Sequence, residues 1–155
     1  MNRPTAAGHV NIPADLASAG VARHALGCSP ATRQEAVSAA QKWCVDRALR
    51  PGTVMDVMTL VDEAVAHGLR FGPRDLVMMI RWEDLDRFRI EMVWQGGSSQ
   101  ASVVSDSAGD SLRRSARVFD SLAERWGLGS TEGAASWQWF IVNTRLVVGP
   151  GAQAL

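Results

Sequence analysis

Few side chains in this sequence are placed to do chemistry. Glu63 and His67 stand four residues apart in a helical stretch, which puts a carboxylate and an imidazole one turn apart on one face. Arg113, Arg114 and Ser115 follow one another and could hold an anion through the guanidinium groups. The three histidines, His9, His24 and His67, are far apart and lack metal-ligand spacing. Cys28 and Cys44 make neither a Cys-x-x-Cys pair nor a disulfide framework. There is no Gly-x-Ser-x-Gly and no phosphate loop ending in Gly-Lys-Ser/Thr. The Glu63–His67 pair therefore has two readings. It is a solvated i, i+4 pair worth a few tenths of a kcal/mol, at about that magnitude, or it lines a pocket.

The elements that would position these residues follow from periodicity. Val37, Ala40, Trp43, Cys44 and Ala48 recur at helical spacing after a start at Ala31 or Thr32, and Pro51-Gly52 ends the run. Cys44 sits in that stripe and reads as a small core residue. A second helix runs from Thr53 to Leu69, with Val54, Val57, Met58, Val61, Val65 and Gly68 inward. Thr59, Glu63, His67 and Arg70 fall on its opposite, polar face. Leu76–Trp82 is an apolar run suited to a strand covered on both faces. Phe88, Ile90, Met92 and Trp94 alternate with polar residues and complete a hairpin. A Gly/Ser/Asp-rich stretch from Gly96 to Asp110 reads as a lid-like loop. A helix follows over Ser111–Arg125, with Leu112, Ala116, Phe119 and Ala123 as its stripe, and Trp126-Gly127-Leu128-Gly129 is its exit turn. The last strand, Ala135–Val142, sets Trp137, Trp139 and Ile141 against Phe140 and Val142. Two blocks of helix beside antiparallel strands predict an α+β fold, a two-layer sandwich of a mainly antiparallel sheet with helices on one face.

Length and composition agree with one domain. The chain has 155 residues, 46% of them apolar, and sixteen basic residues balance sixteen acidic ones. That balance gives no electrostatic reason to expect nucleic acid or an anionic membrane as partner. No signal-peptide pattern and no long apolar run is present, so a cytoplasmic location is expected. Residues 1–29 read as an N-terminal arm with an edge segment near Val10–Ile12, 30–145 as the folded domain and 146–155 as a flexible tail. Fifteen of the sixteen basic residues are arginine, and six tryptophans stand beside no tyrosine. Both biases carry little functional weight.

The segment Val61-Asp62-Glu63-Ala64-Val65-Ala66-His67-Gly68-Leu69-Arg70-Phe71-Gly72 resembles the motif helix of the GHKL (Bergerat-fold) ATPases. It is most similar to their small bacterial branch, the anti-sigma factor serine kinases. The hairpin, the Gly/Ser-rich loop, Leu122-Ala123-Glu124-Arg125-Trp126-Gly127 and the closing strand Trp137–Val142 fit the same pattern over roughly residues 30–143. The resemblance implies ATP and Mg²⁺ as cofactors where the site works, with Glu63 as the catalytic base.

Three positions depart from the family. The metal-holding Asn is replaced by His67, a poor ligand for Mg²⁺, which prefers oxygen. Phe71 likewise stands where many relatives have a His. The Asp that reads the adenine amino group is replaced by Trp94, followed by Gln95 and Gly96; indole donates one hydrogen bond and accepts none. Trp94 is in phase with Phe88, Ile90 and Met92, so it points inward and fills space a purine would use. The lid glycines correspond to Arg113, Arg114 and Ser115, which deny the phosphates a close backbone approach. The expectation is a regulatory pseudo-ATPase without a cofactor. Its partners by resemblance are a sigma factor, an anti-anti-sigma protein or another signalling component, with homodimerisation a property of relatives. The competing expectation is an active ATP-dependent protein-serine kinase, with Glu63 as base, His67 near the metal and Arg113 or Arg114 bracing phosphates.

Overall fold

The computed structural model describes residues 21–97, 106–130 and 135–145. Five strands form one antiparallel sheet: β1 (Ala22–Gly27), β2 (Asp75–Trp82), β3 (Arg87–Gln95), β4 (Arg125–Ser130) and β5 (Ala135–Asn143), in the spatial order β1-β2-β3-β5-β4. Three helices, α1 (Thr32–Asp46), α2 (Pro51–Leu69) and α3 (Asp106–Leu122), cover one face. The fold is the two-layer α+β sandwich expected from the element pattern. The segment near Val10–Ile12 and the tail 146–155 lie outside the described residues. Among the described residues no helix is long and apolar enough to cross a membrane.

The core lies between the helices and the sheet. Leu76, Met78 and Ile80 of β2, Phe88, Ile90 and Met92 of β3 and Phe140 of β5 are fully buried against Val57, Leu60, Val61, Ala64 and Val65 of α2. Trp43 joins Trp82 and Phe88 with ring centroids 5.5 and 5.0 Å away. Cys44 is buried as expected, and burial pushes its thiol up to about 11.

Several elements differ from expectation. Pro51 does not end α1; it is the first residue of α2, where its missing N–H and fixed φ suit a helix start. β2 is covered on one face only, for Val77, Met79 and Arg81 remain half-buried on the far side. β1 pairs with β2 at the sheet edge, ahead of the first element that periodicity marks. α3 begins at Asp106, inside the stretch read as a loop, and stops at Leu122. The supposed exit turn is strand β4. Its glycines have a specific cover: Gly127 lies opposite Trp139 and Gly129 opposite Trp137, and each indole rests on its glycine. A Cβ on Gly129 would come 2.8 Å from Trp137 Nε1 and nearer still to the six-membered ring.

Candidate functional site

α2 and α3 bring Glu63 and Ser115 together. The Ser115 hydroxyl donates to Glu63 Oε1 at 2.6 Å across 52 positions of sequence. Ser115 is buried and Glu63 half-buried, so the bond clasps the two helices from inside. Phe119, one turn further along α3, packs edge-on against Phe140 and Trp126 at 4.8 and 5.2 Å. Beyond it, Leu122–Glu124 share a small cleft with Thr53 and Asp56 of α2 and with Val142 and Asn143 of β5. α3 therefore runs along β5 and against α2. Earlier α3 residues lie over earlier β5 residues and later α2 residues.

The buried stripe of α3 is Ser111, Ser115 and Phe119, continued by Ala123 just past the helix end, a strict i, i+4 series. Phe119 and Ala123 are inward as expected, but Ser111 and Ser115 take the places expected of Leu112 and Ala116, and Leu112 is 39% exposed. The Glu63 carboxylate of α2 accepts the Ser115 hydroxyl, whereas the Ser111 hydroxyl is buried without a hydrogen-bond partner. Arg113 and Arg114 face solvent in the helix interior, not at its N-terminus. Arg113 pairs with Asp110 at 3.6 Å in full exposure. Of the three positions matched to lid glycines, only Ser115 points into the sandwich.

His67 is buried. Thr59 and Arg70 are exposed, whereas His67 is 4% exposed, so it does not belong to a solvated face. Its ring meets Phe71 edge-on at 5.5 Å. Burial lowers its proton affinity, the Arg70 charge lowers it further, and Glu63 opposes both. Among the described residues no three His, Cys, Asp or Glu side chains gather to hold a metal ion.

Trp94 points inward, as its phase requires, and is 1% exposed. Its indole lies against the backbone of Gly68 in the last turn of α2. A Cβ on Gly68 would fall 2.7 Å from Nε1 and closer still to the six-membered ring. Just beyond Trp94, Gly96 turns the chain with φ +75°, a conformation open to glycine. A Cβ there would also meet the Arg74 side chain, 2.8 Å from Nε.

One feature of this end escaped the sequence. Among the described residues, four buried side chains here have polar atoms with no hydrogen-bond partner: both ring nitrogens of His67, Trp94 Nε1, Ser111 Oγ and both amide atoms of Gln138. Gln138 lies on the inner face, opposite Met92 and next but one to Ser136, the partner of Trp94. Native interiors rarely leave such groups unpaired, and each costs about 1–3 kcal/mol. Trp43 Nε1 and Arg81 Nε are also without hydrogen-bond partners elsewhere in the fold; the interior around Phe119 is lined by aromatic rings, and the hydroxyl and amide groups lie toward the Ser111 end. The polar end is the candidate site, formed by Glu63, His67, Trp94, Ser111, Ser115 and Gln138. The alternation of β5 places Gln138 inward with Phe140, which was the available signal for it.

No protein-family model and no curated protein matches the chain in sequence. Among solved structures it is similar to a chain in the crystal structure of the SiaB–SiaC complex from Pseudomonas aeruginosa, with a TM-score of 0.58 and 11% identity. The match covers 83% of this chain and 93% of that one, and the likeness is one of fold.

Proposed function

We propose that this domain is a regulatory protein that acts by binding a protein partner. It resembles the anti-sigma factor serine kinases, with its conventional nucleotide space closed. The observation that carries this reading is the Trp94 indole seated on Gly68. An aromatic side chain fills the place where the resemblance expects a carboxylate to read adenine, and it supplies no acceptor. Glu63 is engaged by Ser115, and the lid arginines face water. A structural neighbour that is itself part of a two-protein complex is consistent with partner binding. By the same resemblance the partner class is a sigma factor, an anti-anti-sigma protein or another signalling component.

Affinity capture with the full chain, with and without Mg-ATP, tests the reading. The captured protein is then purified and its affinity measured under both conditions. The proposal predicts one partner, bound equally well without nucleotide and not phosphorylated. Transfer of phosphate to a serine of that partner, abolished by Glu63→Ala, would establish the kinase instead.

A further inference from the structure

We propose that α3 is a two-state element. Its N-terminal half, residues 109–116, disengages from α2 and the sheet about a pivot at Phe119 and opens Glu63 to solvent. The two halves of its buried stripe are held by different physics. Phe119 and Ala123 are anchored in the apolar core, with Phe119 packed on Phe140 and Trp126. Ser111 and Ser115 contribute almost no apolar area, and the bond from Ser115 to Glu63 is the one side-chain hydrogen bond that the described residues show for the pair.

Closure over this end also carries a cost that opening removes. The hydroxyl of Ser111 on the helix and the amide of Gln138, two residues before Phe140 on the inner face of β5, are buried without a hydrogen-bond partner. Neither group has a protein partner to lose, so on opening each gains hydrogen bonds to water that closure denies it. An element held by few apolar contacts and burdened with unpaired polar groups belongs to the low-stability part of a fold. The device goes beyond partner binding, and it stands whether or not a nucleotide binds.

Hydrogen exchange on the full chain tests it. Amides of 109–116 should exchange at least about tenfold faster than those of 117–122. Two variants separate this opening from ordinary fraying of a helix end. Ser111→Ala removes the unpaired hydroxyl on the helix. Gln138→Met removes the unpaired amide on the sheet and leaves the helix sequence untouched. Each should slow exchange of 109–116 by at least about fivefold, the effect of relieving one unpaired buried group. Uniform protection along α3 would overturn the proposal. So would faster exchange in 109–116 that Gln138→Met leaves unchanged, for that is fraying. A variant that loses its fold would also count against it, since removal of an unpaired polar group is expected to favour the closed state.

Discussion

Trp94 of β3 and Gly68 of α2 fit together only because the glycine has no side chain. The indole occupies the volume that a Cβ would need, so hairpin and helix fix one another at the polar end of the sandwich. Gly68→Ala should destabilise the domain by about 1–3 kcal/mol through overpacking. That outweighs the roughly 1 kcal/mol that alanine gains over glycine within a helix. In Trp94→Leu the same Gly68→Ala change should cost much less. Urea unfolding of the four proteins in the cycle measures the coupling, and additive effects would contradict the contact.

The Glu63–Ser115 bond joins two helices far apart in sequence. Ser115→Ala should lower stability by about 1–2 kcal/mol. It should cost nearly nothing further once Glu63 is already Ala. Equal losses in both backgrounds would show that the hydroxyl acts through packing.

His67 predicts a pH dependence of definite sign. Burial depresses its folded-state pKa below the ordinary 6.5. The unfolded chain therefore takes up the proton first as pH falls. Stability from this group is complete above pH 6.5 and is lost as pH drops toward the folded value. Melting temperature measured between pH 7.5 and pH 5, limits set roughly one unit or more about the ordinary histidine value, should decline. In His67→Leu the decline through this window should be smaller. Parallel curves for the two proteins would contradict the assignment.

The Gly127–Trp139 and Gly129–Trp137 pairs make β4 a strand against its own composition. Valine favours strands over glycine, yet Gly129→Val should destabilise, because its Cβ would collide with the Trp137 indole. Removing the ring relieves the clash, so Gly129→Val in a Trp137→Ala background should be neutral or favourable by denaturant unfolding.

How far the sequence disclosed this arrangement depends on whether the signal was local. The stripe Val57, Val61, Val65 and the alternation Phe88, Ile90, Met92, Trp94 each declare an element and its inward face without reference to anything distant. β4 could not be read that way. Gly127-Leu128-Gly129 spells a turn until Trp137-Gln138-Trp139 is laid beside it in register. The pairing of small with large residues across a short connection was the available clue. His67 differs for a related reason: helical phase puts it opposite the valines, and only the packing around the end of α2 decides that this one position is buried. Ser111 and Ser115 hid the register of α3, since a polar buried stripe resembles a solvated one. At the site, the inward aim of Trp94 followed from phase. The meeting of Glu63 with Ser115 and the inward Gln138 required the fold.

Calorimetric titration of the full chain with ATP in the presence of Mg²⁺ tests the central claim most directly. A domain whose purine space is filled by Trp94, and whose Glu63 is held by Ser115, should show no Mg-dependent heat of binding. Micromolar, Mg-dependent binding of ATP would contradict the account.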